Sequence, residues 1–495
     1  MLDPREGDPV ARAVALTAVQ VARDAGATYA DVRVDAAINQ TVGVWDHAAP
    51  WPVMYSDDFL YGVRVIANGQ WGFAGGQDPS PDAVARVARR AVHQATVDAA
   101  GRASPVVLAP APAVPDGTWE TPIEIDPFTV SIADQQAALA AGIDAALKVK
   151  GVKAASATLD FSRVVRTFAS SEGSFIVQTL YRAYPGGGVH AVLANDPRQW
   201  VGRQVATLEP AGGGFEVVRA AGLADGFAAA AHAVVAGASP RRLDVGRYDV
   251  VVSASVMASL VGGTLGRAAS LDRASGRDAS FGGTSFAAPP NTILGGDPLA
   301  SHLVTITANR SMPRGLATVR WDDEGVEPEE FPIIAAGNLV DYLTTRESAP
   351  SLGWWYDKHG RPVRSHGCAM GGGLETPMEG SPNLVMRPGS SAVSVDDLIR
   401  DVKKGVFFSD DGGGGTDVQV LNGRWSATAA QEIRNGKLVG YVRDVAMEFR
   451  TPELWKSLDA VGGAASAESC GCGVRTVRAV PGRFRQVRVT SMEST

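Results

Sequence analysis

The chain has 495 residues, 45% of them hydrophobic and 20% charged, a globular balance that excludes a disordered polypeptide and predicts two to four domains. Glycine and proline, at 56 and 29, exceed their usual share and point to many turns and a large content of sheet. With 46 basic against 53 acidic residues the net charge is −7, so no basic field exists to attract nucleic acid. The spacing of apolar residues predicts an amphipathic helix over 8–26, closed by a glycine. Alternating stretches at 29–37, 40–47 and 61–76 read as strands, with Asn68-Gly69 as a hairpin turn. Helical spacing returns at 81–98, and the Pro- and Ala-rich stretch 104–121 reads as a loop or crossing strand. A helix at 134–148, strands at 153–163 and 164–170, and a helical block at 215–238 follow. After the turn at 237–242 the texture changes to short β-like segments and glycine clusters, beginning with YDVVVS at 248–253. Two further helices are predicted, at 255–274 and 395–404.

The fold class is therefore α+β in two domains: an N-terminal α+β domain, 1–240, and a β-rich C-terminal domain, 241–495. Three cysteines, Cys368, Cys470 and Cys472, make no disulfide framework. The opening MLDPREGDPV has no signal pattern. The longest apolar stretch, 220–239, is Ala- and Gly-rich and carries Asp225 and His232, which suits a packed helix better than a membrane span. A cytoplasmic protein without a membrane anchor is the expectation.

Several motifs suggest chemistry. Gly283-Thr284-Ser285 followed by Phe-Ala-Ala-Pro resembles a subtilisin-type nucleophile segment, which also needs a His and an Asp upstream. His47, His93, His190 and His232 all lack the family context, so the motif reads as a glycine-rich loop. His359, His366 and Cys368 are zinc-ligand types in one segment, yet their spacing fits no closed zinc pattern and exposed loop residues are the plainer reading. Cys470-Gly471-Cys472 is not the C-x-x-C of dithiol redox proteins. Asp322-Asp323-Glu324 is a carboxylate run of a kind usually solvated, and Asp410-Asp411 precedes four glycines in a loop-like stretch.

The order of segments then becomes informative. GATYADVRVDAAINQTVGV (26–44), YGVRVIANGQWGFAGG (61–76), YDVVVSASVMASLVGG (248–263) and WDDEGVEPEEFPIIAAGNLVDYLTTRESA (321–349) occur in sequence, followed by 383–408, QEIRNGKLVG and SCGCG. In this order the chain resembles the TldD/PmbA family, metallopeptidases once called modulators of DNA gyrase. Active members carry a helix reading HExxxH after the YDVVVS-like strand, whose histidines bind zinc and whose Glu acts as general base, with a Cys near the C-terminus as a further ligand. The matching positions here are Gly262, Gly263 and Arg267, none of which ligates zinc, and Cys470 stands as the remnant ligand.

The resemblance implies the metal-free subunit of a heterodimer, with zinc in a homologous partner that keeps HExxxH. This chain would supply chamber wall and hold a peptide backbone by strand addition. A homodimer is the variant form of that pairing. Arg267 and the Asp322–Glu324 run are the candidate substrate contacts. Two other readings compete: a divergent enzyme using Arg267 as an anion-binding group with Cys470 or Cys472 as nucleophile, and a peptide-binding module without a catalyst.

Overall fold

The computed structural model describes residues 8–46, 49–98, 104–193, 196–238 and 241–491. His47 and part of the expected interdomain turn, Ser239 and Pro240, lie outside them. The molecule is of the α+β class, and all strands of its largest sheet come from residues 29–212.

That sheet is nine-stranded, and its central path runs Gln70–Gly76, Met54–Ala67, Tyr29–Trp45, Val152–Ser170, Phe175–Leu193 and Gly117–Glu120. The stretches expected as two strands, 29–37 with 40–47 and 153–163 with 164–170, are each one continuous strand. The hairpin at Asn68-Gly69 is present, with φ of 49° and 75°, as a primed turn requires. Period-two alternation gives the sheet two chemically distinct faces. Ala30, Val32, Val34, Val63 and Val65 point toward the helices Pro9–Asp24 and Pro81–Asp98. Further along the same face, Ala157, Leu159 and Phe161 pack on the helices Ile132–Leu147 and Leu223–Gly237. Asp8 caps the first helix, its carboxylate accepting from the Val10 amide at 2.8 Å. The block expected at 215–238 breaks into Glu216–Ala220 and Leu223–Gly237, because Gly222 takes φ 57° between them.

The opposite face carries Asp31, Arg33, Asp35, Arg64 and Arg166. Arg64 lies directly across from Asp31, and Arg166 across from Asp35. This charged face is not solvated: the rest of the chain packs on it so closely that a Cβ on Gly62 would strike the Gly373 carbonyl.

Residues 246–491 form a seven-stranded and a six-stranded sheet around one core. In the first, Gly246–Val252 pairs parallel with Lys404–Thr416 and antiparallel with Gly482–Ser491. Lys404–Thr416 continues through Asn422–Arg434 and Val445–Arg450 back to Gly482–Ser491, so these five strands close into a ring without edges. The six-stranded sheet runs Asn338–Leu339, Glu330–Ala335, Ile306–Asn309, Leu384–Met386, Arg475–Ala479 and Glu468–Cys472. Between the two packs the helix Ala254–Gly263, with Ser253 as its N-cap. The helix expected over 255–274 is three pieces, Ala254–Gly263, Leu265–Ala268 and Leu271–Ala274. It breaks at Thr264, whose hydroxyl donates back to the Leu260 carbonyl at 2.5 Å and accepts from Trp455 Nε1 at 2.9 Å. The expected helix at 395–404 is confined to Val395–Arg400, since Lys404 already starts a strand. Among the described residues no helix is long and apolar enough to cross a membrane.

Candidate functional site

The positions matching the zinc motif lie at the C-terminal end of the helix Ala254–Gly263, and two large side chains fill the space beside them. A Cβ on Gly262 would come within 2.9 Å of the Arg475 guanidinium, and one on Gly263 would run into the six-membered ring of Trp425. Arg475 Nη2 donates to the Gly262 carbonyl at 2.6 Å, and Trp425 Nε1 donates to Asp411 Oδ1 at 3.1 Å. Arg475 sits on the strand facing Cys472 across a tight hairpin. Burial lowers its pKa, and Arg267 adds to the effect, so two guanidinium groups are neighbours here. Arg267 itself is exposed and makes one long contact, 3.4 Å to the Gly282 carbonyl. The residues present do not fit zinc: Gly262, Gly263 and Arg267 stand at the positions that match the zinc motif, and the Arg475 guanidinium and the Trp425 indole take up the room beside them.

Cys470 is buried on the edge strand Glu468–Cys472, and burial pushes its thiol well above the ordinary range. The Cys472 thiol is pushed up to about 11, again chiefly by burial. Both are protonated near neutrality and poor nucleophiles. They line a cleft of about 300 Å³ between the nine-stranded sheet and the barrel, together with Glu209, Asp410 and Asp411. Burial raises the Glu209 carboxyl to about 7 although it accepts from the Gly471 amide at 3.0 Å. Asp410 is likewise raised by burial, with Arg203 at 2.5 Å opposing the shift.

The run Asp322-Asp323-Glu324 is buried, not solvated, with 2%, 7% and 3% exposure, and its groups are engaged within the protein. Asp322 accepts from the amides of Glu324, Val326 and Ala369. Asp323 pairs with Arg166; despite burial, Arg166 and Arg310 hold its carboxyl below the usual range. Glu324 meets Arg64 Nη1 at 3.0 Å and the Arg346 amide at 2.7 Å. Arg64 also bonds Asp31, at 2.9 and 2.6 Å, and Arg166 grips Asp35 with two bonds of 2.7 Å. These residues join the charged sheet face to the C-terminal segment, and nothing of the run is left to face a substrate.

The other candidates are also engaged. His366 stacks on Phe331 at 3.9 Å, with Nδ1 2.9 Å from Glu329 and Nε2 3.3 Å from Asp341. His359 is exposed and bonds the Trp355 carbonyl at 2.8 Å, while the buried Cys368 thiol is pushed up to about 12. Among the described residues no group of three or more His, Cys, Asp or Glu could hold a metal ion. The Ser285 hydroxyl donates to the Ala268 carbonyl at 2.8 Å and accepts from the Ala287 amide, and among the described residues no histidine is bonded to it. Sequence reasoning missed Arg475, Trp425 and Glu209. Only the hairpin implied by Cys-Gly-Cys-Gly-Val-Arg could have brought Arg475 near the cysteines.

Comparison with known proteins bears on what this arrangement is. The PmbA/TldA metallopeptidase C-terminal domain matches residues 245–491, and domain 1 of the same metallopeptidases matches residues 53–95. A metalloprotease of Methanothermobacter thermautotrophicus is 27% identical over 403 residues, covering 81% of this chain and 80% of that protein. Metalloprotease PmbA of Escherichia coli O157:H7 is 23% identical over 425 residues, covering 83% and 82%. Two solved structures share the fold. A modulator of DNA gyrase from Bacteroides thetaiotaomicron has a TM-score of 0.74 at 16% identity over 97% of this chain and 99% of that one. TldE from Thermococcus kodakarensis has a TM-score of 0.72 at 15% identity over 96% and 99%. Matched along most of its length in both sequence and fold, the chain belongs to the PmbA/TldD metallopeptidase family.

Proposed function

We propose that this chain is a metal-free, non-catalytic subunit of a two-subunit cytoplasmic peptidase, paired with a homologue that bears an intact HExxxH and the zinc. The carrying observation is the filling of the former metal position: Arg475 lies against Gly262 and Trp425 against Gly263. A dication placed beside Arg475 and Arg267 would meet repulsion without a ligand to offset it. The raised thiols of Cys470 and Cys472 weigh against a cysteine nucleophile. The chain's contribution would be recognition. Glu468–Cys472 is the last strand of its sheet and lines the cleft, so an extended peptide could add alongside it.

Native mass spectrometry of the protein drawn gently from its own host tests this reading. A complex of two different subunits carrying about one zinc ion is the expected result, with no peptide cleavage by this chain alone in added zinc. Zinc-dependent, chelator-sensitive cleavage by the isolated chain would overturn it. A metal-free homodimer that retains peptide uncut would replace it with the peptide-binding module.

A further inference from the structure

A separate cavity of about 340 Å³ opens where the strands Gly117–Glu120 and Phe175–Leu193 meet the loop 311–320. That volume suits one amino-acid-sized group. Its walls are apolar and aromatic, with Trp119, Leu180, Tyr181 and Val319 among them, and they carry Arg182, Arg314 and Arg320 but, among the described residues, no acidic side chain. In an acidic protein this is unusual company for three arginines. Arg320 pairs with Glu327 at 3.1 Å on the exposed rim, a weak contact. Among the described residues Arg182 and Arg314 pair with no carboxylate. The bond from Arg182 goes from Nε to the Leu316 carbonyl at 2.9 Å. Burial lowers the Arg182 pKa, the mark of a desolvated charge lacking a close counter-ion. The junction arginines Arg64 and Arg166 have theirs.

The loop fixes the backbone of Arg314 and leaves its side chain exposed. Arg314 adopts φ 60°, Gly315 N closes the turn on the Met312 carbonyl at 3.0 Å, and Gly212 N ties the Arg314 carbonyl to the nine-stranded sheet at 2.9 Å. Such a left-handed non-glycine residue persists only where the surroundings hold it. Arg314 and Pro313 are shared with a second cavity, of about 390 Å³. That cavity in turn shares Glu209 and Pro210 with the cysteine-lined cleft. The three therefore follow one another along the junction, acidic at the Cys470 end and basic at the Arg182 end.

We propose that this cavity binds a free carboxylate attached to an apolar or aromatic side chain, as in the C-terminal residue of a peptide lying along the junction. Arg182 and Arg314 would hold the carboxylate, since the guanidinium fork matches it, and the wall around Trp119 and Val319 would take the side chain. The site needs no catalytic partner, so its fate and that of the two-subunit reading are decided separately.

Isothermal titration of the full chain with N-acetyl-L-phenylalanine and with its primary amide tests the proposal. The acid should bind at least about tenfold more tightly than the amide, the loss expected when one charged partner disappears. Arg314→Gly removes the guanidinium yet tolerates the positive φ, so it should weaken the acid about tenfold without lowering Tm. Arg182→Gln should do the same where it folds. Equal affinity for acid and amide, no binding of the acid at millimolar concentration, or unchanged affinity in Arg314→Gly would overturn the site. A peptide of four alanines ending in phenylalanine should bind more tightly than the acetylated residue. Weaker binding of the peptide would overturn its assignment to a peptide terminus and point to a small aromatic acid.

Discussion

At the junction Arg64 and Arg166 each face carboxylates that neutralise them, whereas beside Gly262 the Arg475 guanidinium meets a carbonyl and leaves Nε buried without a partner. Both regions carry guanidinium groups out of water, and Arg33 at the junction also leaves its Nε buried without a partner, but only the junction sets opposite charges in register across strands. The difference teaches that a polar segment inside this protein can be either a charge-matched joint or a pocket filled by a poorly compensated guanidinium, and that the partners decide which. A joint collapses when one member is removed. The filled space beside Gly262 should tolerate change, because the arginine there satisfies little.

The largest effect should come from Arg64→Met, which strips the buried Glu324 of its cation and leaves Asp31 with Arg33 alone, and should lower unfolding free energy by about 3–5 kcal/mol in urea titration. A loss under about 1 kcal/mol would show the joint to be dispensable and erase the contrast. Next, Gly263→Glu forces a side chain into the Trp425 ring and should destabilise by about 1–3 kcal/mol. Joined with Gly262→His and Arg267→His it should still bind no zinc tightly in a metal titration; a tight site would mean that the space beside Gly262 lacks only the ligands.

A smaller effect concerns pH. Glu209 titrates near 7 in the folded protein because of burial, above its unfolded value near 4.3, so the folded state holds the extra proton between those limits. Stability from this group is therefore full at low pH and declines as pH rises from about 4 to 7. Glu209→Gln should flatten that slope in a Tm-against-pH series, and an unaltered slope would remove Glu209 as its source. Smallest of all, Arg475→Met should change stability by no more than about 1 kcal/mol, since an apolar side chain of similar volume replaces a poorly compensated charge.

Much of the first sheet was legible because its pattern is local. Val32, Val34, Val63 and Val65 alternate with charges, and Asn68-Gly69 announces its turn. The strand Phe175–Leu193 escaped reading because Pro185 and three glycines interrupt it like a loop. Proline is tolerated there because Pro185 pairs only with Leu159, while the strand's other neighbours contact it at 176–179, 182–183 and 188–193. The helix expected over 255–274 was over-read, since apolar spacing does not reveal that Thr264 turns back on Leu260. At the candidate site, Gly262, Gly263 and Arg267 at the positions matching the zinc motif were plain in the sequence. What replaced them was not, for Trp425 and Arg475 lie more than 150 residues further along the chain. The Asp322–Glu324 run misled for the same reason: its cationic partners, Arg64 and Arg166, belong to a distant part of the chain.

The closed ring of strands also bears on how the protein is made. Gly246–Val252 has Gly482–Ser491 as one of its two neighbours, a segment synthesised more than 200 residues later. At about 5–20 residues per second the ribosome needs roughly ten seconds or more to supply it. For that interval Val250, Val251 and Val252, all destined for the core, form an unpaired apolar edge on a nascent chain. The barrel is thus a late event of synthesis, and a chain stalled before residue 482 would present chaperones and proteases with that edge.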